Sequence, residues 1–308
     1  SIHSFGQKSQ GAVDNARDNL ASFLNCRAQE VIFTSGATES NNLAIQGVVE
    51  QLKTKEKVHI LCSRIEHPAV LEVFKKYEKD EQVEVDYINV NEKGIIKLED
   101  LKSKIKDNTV LVSVMYVNNE IGTIQPIKEV SEILKQVQNN RGGSLPIYFH
   151  ADAVQGINYL DCRVDELGVD LLSFSGHKIY APKGIGALYV RSGVKLKQIV
   201  YGGHQEYNLR PGTHNVAGIV GLGTAIELVK KTQKHENTKT LGIKKALMVE
   251  LEKIENIRFN GDLDNQVPNI INISFLKAEG ESILMMLDMA GIAISTGSAC
   301  SSGSLEPS

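Results

Sequence analysis

The sequence predicts an α/β protein with a mostly parallel sheet covered by helices. The first observation is that short apolar runs of strand length alternate along the chain with segments of helical periodicity. The second is the length of 308 residues, near the size at which one hydrophobic core stops growing, which predicts two domains. The third is a composition of 42% hydrophobic residues, enough to fill a sizeable core.

Each predicted element follows from its local pattern of apolar residues. Apolar runs predict strands at 31–33, 58–62, 83–90, 110–114, 147–149, 169–174, 185–190, 270–275 and 292–294. Apolar residues at helical spacing predict helices at 12–24, 43–49, 69–77, 98–105, 127–137, 216–254 and 281–290. The polar middle of the long helix, at 230–239, predicts a bend. We expect a large domain at 1–232, and a smaller α+β domain beginning within 233–308.

Composition excludes several classes of function. The net charge is −3 and no basic stripe is present, so no nucleic-acid partner is expected. No apolar run is long enough to cross a membrane, and no secretory signal is recognisable. The chain begins at Ser1 rather than methionine, so we expect that an N-terminal piece has been removed or left out. The cysteines at 26, 62, 162 and 300 have neither disulfide nor zinc spacing, which favours a reducing compartment.

The most informative stretch is Ser175-Gly176-His177-Lys178, which lies between the apolar runs 169–174 and 185–190. A loop amine between two buried strands is expected to be desolvated. Desolvation lowers the pKa of a lysine and makes it a nucleophile suited to Schiff-base chemistry. A single loop lysine is nevertheless more often a solvated residue, so this interpretation depends on the rest of the chain.

A second stretch, Phe33 to Asn41, is a strand end followed by small residues that open a helix. Backbone amides at such a helix start, together with Thr and Ser hydroxyls, form an anion site suited to phosphate. The same residues are equally suited to simple helix capping by Ser35 or Thr38. The two interpretations stay open at this point.

Polar residues also follow three other predicted elements. His67 precedes Pro68 at a helix start, where it would stack on a planar ligand, act as an acid or base, or simply cap the helix. Segment 117–122 follows the strand 110–114, at the edge where open α/β sheets bind ligands, although taken alone it is more often an ordinary polar turn. Asp152 follows the strand 147–149 and would hold a cationic ring nitrogen or a metal ion, or cap a helix.

One cysteine differs in its surroundings from the other three. Cys300 lies in a run of glycine and serine from Ser295 to Ser304, where a thiol that must move and react would be placed. An exposed cysteine without a role is the alternative. The other three cysteines are interpreted as structural.

Taken together and in this order, these segments closely resemble the NifS/IscS-type cysteine desulfurases of the class-V aminotransferases. The resemblance covers essentially all 308 residues, and the Ser175–Lys178 and Gly297–Cys300 segments are specific to it in combination. It implies fold type I, the cofactor pyridoxal 5′-phosphate (PLP), and removal of sulfur from L-cysteine to give L-alanine.

The resemblance also implies roles for individual residues. Lys178 matches the lysine that links to PLP, Cys300 the catalytic cysteine that becomes a persulfide, and His67 the histidine stacked on the ring. Positions that match cofactor contacts fall into groups: Ala37, Thr38, Ser175 and His177 at the phosphate, Asp152 at the pyridinium nitrogen, Gln155 at the ring hydroxyl, Asn119 near cofactor and substrate carboxylate, and Thr213 at the phosphate of a neighbouring subunit.

Partners and location follow from the same resemblance. It implies a homodimer that transfers sulfur to an iron–sulfur scaffold or another acceptor protein, in the cytoplasm or in a mitochondrion. No resident metal is expected, although contact of Cys300 with an iron–sulfur cluster is left open. The family's N-terminal motif and C-terminal substrate-binding arginine are absent here, so a truncated or partly covered chain is expected. Pro211 replaces a serine, and the loop 139–146 is longer than usual.

Three other functions stay open. Another PLP-dependent lyase or aminotransferase would need no thiol at Cys300. A metal hydrolase would use the strand-end residues His67, His150, Asp152 and His177, but it explains neither Lys178 nor the phosphate-type turn. A scaffold without catalytic activity is compatible with the missing end segments.

Overall fold

The computed structural model describes residues 3–53, 57–142 and 145–297. The helices are Ser4–Leu24 (α1), Ala37–Leu52 (α2), Pro68–Tyr77 (α3), Leu98–Lys104 (α4), Ile127–Asn140 (α5), Val164–Leu167 (α6), Val216–Leu251 (α7) and Gly280–Met289 (α8). The strands are Val31–Thr34 (β1), Val58–Ser63 (β2), Val83–Ile88 (β3), Thr109–Ser113 (β4), Tyr148–Asp152 (β5), Leu171–Ser175 (β6), Gly186–Val190 (β7), Ile257–Phe259 (β8) and Ile273–Phe275 (β9). Short 3-10 turns lie at Ala28–Glu30, Gly176–Ile179 and Glu206–Asn208.

Seven strands form one sheet in the order β1-β7-β6-β5-β4-β2-β3. Every neighbouring pair from β6 to β3 is parallel, whereas β7 runs antiparallel to both β1 and β6. The mostly parallel sheet predicted from the sequence is thereby confirmed. Because their directions agree, β1, β2, β4, β5 and β6 all end at the same edge of the sheet, where ligands bind in open α/β folds.

The core lies on both faces of this sheet. Alternate residues of β1 separate the two faces: Phe33 packs in the cluster with α1, α5 and α7, and Ile32 in the cluster with α2 and α3. Strands buried on both faces read as continuous apolar runs, which is why they were recognisable in the sequence.

Several element boundaries differ from the prediction. The predicted strand at 147–149 begins at Tyr148 and extends to Asp152, and the strand predicted at 270–275 is confined to Ile273–Phe275. The prediction of a strand at 292–294 is wrong. Ile292 and Ile294 are exposed, and no described strand pairs with them, so their backbone groups form no ladder. Helix α7 continues through 230–239 without the predicted break.

Strands β8 and β9 form a separate antiparallel pair beyond α7. The segment between them joins the main sheet region, since Val267 donates its amide proton to the Gly122 carbonyl at 3.0 Å and Thr123 forms a bridge with Gln266. This places the small pair of strands opposite the carboxyl edge of the main sheet. The division at 232/233 falls inside α7 and stays a prediction. Within the described ranges, no helix is both long and apolar enough to span a membrane.

Candidate active site

One cavity of about 1120 Å³ lies at the carboxyl edge of the main sheet, between that edge and β8–β9. Every described residue of the predicted site except Thr213 lines it: Ala37, Thr38, His67, Asn119, Asp152, Gln155, Ser175, His177 and Lys178. Thr213 is exposed and away from this wall. Cys300 lies outside the described residues.

Helix α2 begins at this cavity with its first amides uncapped by any described side chain. The residue before the helix is Gly36, whose φ of +152° favours glycine. Capping by Ser35 or Thr38, the structural alternative, is wrong: the Ser35 amide donates to Glu39 Oε2 at 2.5 Å, the residue at the cap position is Gly36, and no described side chain caps the helix. Uncapped amides at a helix start favour an anion, so the phosphate interpretation gains support.

The close approach of β7 to this helix start requires a second glycine. A Cβ at Gly186 would lie 2.7 Å from the Cα of Gly36 and from the carbonyl oxygen of Phe174. The absence of a side chain at Gly186 lets the end of β6 lie beside the start of α2. Ser175 Oγ therefore reaches the start of α2, and it lies 2.8 Å from His177 Nδ1. Burial, and then the nearby lysine charges, lower the pKa of His177. A neutral imidazole is therefore favoured beside the anion site.

Lys178 lies on the 3-10 turn that follows β6. Its side chain is exposed, so the expectation of a lysine desolvated by the surrounding strands is wrong for the protein alone. The reason is that the pairing of β6 with β7 ends at Ser175, so Lys178 lies on a 3-10 turn outside the paired strands, and within that turn only Gly176 and Ile179 are buried. Among the described residues, none forms a hydrogen bond or ion pair with the amine.

Asp152 is the last residue of β5 and is 5% exposed. Its Oδ2 accepts a hydrogen bond from Asn41 Nδ2 at 2.7 Å, and its Oδ1 accepts one from the Val154 amide at 3.0 Å. Both donors are neutral, and burial raises the pKa of this carboxyl. A cation placed in the cavity would therefore stabilise the ionised form.

His67 caps helix α3 and also lines the cavity. Its Nδ1 accepts the Ala69 amide at 3.0 Å, so the proton of the neutral ring is on Nε2. The capping role and the site role thus coexist in one residue. Across the cavity edge, Asn119 sits in a turn organised by Asn118, whose Oδ1 accepts the amides of Glu120 at 2.9 Å and Ile121 at 3.0 Å.

The position of His150 does not support the alternative of a metal site. This side chain is fully buried between Ser113 Oγ at 2.8 Å and Ser173 Oγ at 2.9 Å, so both ring nitrogens are engaged. Burial lowers its pKa to about 3. Within the described ranges, no group of three or more His, Cys, Asp or Glu side chains is arranged to hold a metal ion.

The structural interpretation of three cysteines is confirmed. Cys62 and Cys162 are buried, Cys26 is half-buried, and all three are free thiols. Burial raises the pKa of each thiol, which for Cys26 reaches about 12. Such thiols are poor nucleophiles at neutral pH.

Sequence reasoning missed two buried residues at this site. Asn41 lines the cavity and bonds Asp152, while its Oδ1 has no partner among the described residues. Glu66 is 4% exposed and bonds the loop after β4. Neither residue stands out in the sequence, because each has polar neighbours and its bonding partner lies far along the chain.

Comparison with known proteins identifies the family. The aminotransferase class-V family matches residues 1–307. A cysteine desulfurase IscS of Dictyoglomus turgidum is 48% identical over 309 residues, which covers 100% of this chain and 76% of that protein. This chain belongs to the IscS-type cysteine desulfurase family. A mitochondrial cysteine desulfurase of Eremothecium gossypii is 44% identical, over 99% of this chain and 60% of that protein.

Solved structures agree with this family assignment. A NifS-like protein superposes with a TM-score of 0.91 at 34% identity, covering 96% of this chain and 79% of that one. A structure of SspA in complex with cysteine gives a TM-score of 0.80 at 35% identity, covering 97% and 81%. The predicted fold type and the resemblance to cysteine desulfurases are therefore both confirmed.

Proposed function

We propose that this desulfurase-family chain binds PLP in the cavity and removes sulfur from L-cysteine, with the residue roles predicted from the sequence. The observation that carries the proposal is that one cavity gathers the uncapped start of α2, the buried carboxyl of Asp152 and the amine of Lys178. These three groups suit the phosphate, the ring nitrogen and the aldehyde of PLP, respectively.

The residues present fit this cofactor on independent grounds. Asp152 is a buried carboxyl with neutral donors on both oxygens, which suits a protonated ring nitrogen. The helix start offers amides without a capping side chain, and Ser175 lies beside it. When bound, PLP supplies an electron sink for the bonding electrons of the substrate.

The chain's own residues would then act on protons and on sulfur. Lys178, exposed at the cavity wall, would move protons at the substrate α-carbon. His67, whose Nδ1 is engaged by the Ala69 amide, would pack against the ring and exchange a proton through Nε2. Asn119, on the neighbouring turn, would bind the substrate carboxylate. We assign Gln155 to the ring hydroxyl.

Cys300 would take the sulfur as a thiolate. Its sulfur attacks the sulfur of L-cysteine, a sulfur–sulfur bond forms and the carbon–sulfur bond breaks. The electron pair of that bond stays with the β-carbon of the substrate, which gains a proton and leaves as L-alanine. The product on the protein is a persulfide, and no external oxidant or reductant is needed.

Assembly and delivery are proposed from the family alone. We propose a homodimer in which exposed Thr213 reaches the phosphate of the partner subunit, and sulfur delivery to iron–sulfur or other acceptor proteins. Tyr180, two residues after Lys178, is 88% exposed and offers apolar surface for contact with a partner subunit or an acceptor protein. A cytoplasmic or mitochondrial location is proposed from the family resemblance, and the relative of Eremothecium gossypii is named as mitochondrial.

The first test is the visible absorbance spectrum of the purified protein with PLP. We expect a yellow protein whose absorbance band shifts when L-cysteine is added. Lys178→Ala is expected to lose the original band but to keep the fold, because this side chain is exposed. A colourless protein after incubation with PLP would contradict the proposed function, and an unchanged band in Lys178→Ala would contradict the role of that lysine.

A further inference from the structure

Glu66 is a buried carboxyl that no step of the proposed reaction uses. It lies between the end of β2 and His67, the residue that caps α3, and is 4% exposed. Its side chain does not line the cavity. A buried acid directly before a site residue requires a physical explanation, because burying such a group is costly unless it is bonded.

Glu66 forms a hydrogen bond just beyond the point where the backbone pairing of β2 with β4 ends. The last paired residues of β2 and β4 are Cys62 and Ser113. Beyond them, the amides of Val114 and Tyr116 donate to carbonyls of β5, at 3.1 and 2.8 Å. The intervening amide, that of Met115, faces the opposite neighbour, β2, whose chain has already turned away.

The Glu66 side chain occupies that position in the ladder. Its Oε1 accepts the Met115 amide at 2.6 Å and the Ser63 hydroxyl at 2.6 Å. Asn118 adds a parallel link between the same two segments, since its Nδ2 donates to the Ile65 carbonyl at 3.2 Å. The segment that carries His67 is therefore fastened to the segment that carries Asn119.

The surroundings of the second carboxyl oxygen of Glu66 favour the neutral form of this side chain. Oε2 of Glu66 is buried and has no hydrogen-bond partner among the described residues. An ionised carboxylate would leave negative charge unpaired there. Burial, opposed by the two bonds at Oε1 and reinforced by the negative charge of Asp152, raises the pKa of Glu66 to about 8. Burial therefore favours the neutral form, whose Oε1 still accepts both hydrogen bonds.

We propose that Glu66 is a positioning residue, which holds His67 and Asn119 in register at the wall of the cavity by tying the end of β2 to the segment after β4. This inference rests on the proposed function. It predicts that glutamine replaces Glu66 well, because glutamine is neutral and keeps an acceptor oxygen at the same reach. Alanine removes the acceptor and leaves the Met115 amide buried and unpaired.

The experiment titrates PLP into wild-type protein and variants freed of cofactor, and then measures kcat and KM for L-cysteine. For Glu66→Ala we expect the Kd for PLP to rise roughly tenfold and kcat to fall, because PLP binding must then bring the two segments back into register at the cost of about one buried hydrogen bond. Glu66→Gln is expected to stay within about threefold of wild type. Amide hydrogen exchange at Met115 is expected to speed up in the alanine variant only.

Asp170 provides the matched control, as an acid at the opposite edge of the sheet. It accepts the Phe149 amide at 2.9 Å and pairs with Arg191 at 2.9 Å. Asp170→Ala is expected to lower thermal stability while leaving the Kd for PLP unchanged. If Glu66→Ala does not fold, Glu66→Asp replaces it, because the shorter acid cannot reach both donors and is expected to weaken PLP binding in the same direction.

Two results would overturn the inference. One is wild-type PLP affinity and kcat in Glu66→Ala, or in Glu66→Asp where that variant stands in. The other is a glutamine variant as impaired as the alanine variant, since that would require the charged carboxylate. Failure of the wild-type protein itself to bind PLP would instead refute the proposed function, so the two failures are distinguishable.

Discussion

Replacing Glu66 with glutamine should change how the stability of the protein depends on pH. Burial raises the pKa of this carboxyl from 4.5 to about 8. Between these values the folded protein keeps the proton while the unfolded chain releases it. Stability contributed by the protonated group is therefore fully present below about pH 4.5 and is lost as pH rises through about 8.

The size of this effect follows from the two pKa values. Their separation corresponds to about 5 kcal/mol of unfolding free energy across the interval, as an upper value. Glutamine does not titrate, so Glu66→Gln should gain that amount relative to wild type as pH rises. Taking the difference between the two proteins cancels the titrating groups that do not interact with Glu66, whereas Asp152, whose charge contributes to the shift, is a neighbour that does interact.

Urea unfolding of both proteins across this pH range, followed by circular dichroism, measures the difference. Glu99→Gln is the control for the loss of one acid, because that side chain is 85% exposed on the surface. We expect the free energy of unfolding of Glu99→Gln to follow that of wild type across the pH range. The free energy of unfolding of Glu66→Gln should rise steadily relative to wild type as pH rises. Parallel profiles for Glu66→Gln and wild type would refute the argument that a protonated carboxyl is buried here.

Two further substitutions test the cavity. Gly186→Ala should lower stability by roughly 1–3 kcal/mol and weaken PLP binding, because its Cβ would lie 2.7 Å from backbone atoms at the start of α2. Thermal unfolding checks this against Gly242→Ala, where a Cβ meets nothing within 4 Å, and equal effects would contradict it. Asp152→Asn should stabilise the cofactor-free protein at neutral pH, since it removes a buried acid whose two hydrogen-bond donors are both neutral, yet weaken PLP binding by about a hundredfold. Thermal unfolding of Asp152→Asn with and without PLP measures both effects. A loss of stability relative to wild type without PLP would contradict the predicted stabilisation.

The sheet and its ligand-binding edge could be predicted because the strands are buried on both faces. A short, continuous apolar run such as Leu171 to Phe174 predicts a strand that is buried on both faces. The polar residues that follow it indicate the carboxyl edge of the sheet. The apolar run at 292–294 gave the same local signal but has no described pairing partner, so it is not a strand. The local apolar pattern alone therefore predicts neither the burial nor the pairing of this segment.

The contacts between site residues could not be predicted in this way. The bond from Asn41 to Asp152 joins residues 111 positions apart, and the bond from Met115 to Glu66 joins residues 49 apart. Their partners are fixed by strand order, which composition and spacing do not encode. Lys178 shows the opposite error: flanking buried strands predicted desolvation, whereas the turn carries the side chain into the open.

The most direct test of the central claim is to incubate the PLP-bound protein with L-cysteine and measure alanine and protein persulfide together. We expect alanine to form, and one added sulfur to be found by mass spectrometry on the peptide that contains Cys300. Cys300→Ser should keep the yellow band but form no persulfide. A yellow wild-type protein that produces no alanine from L-cysteine would contradict the account.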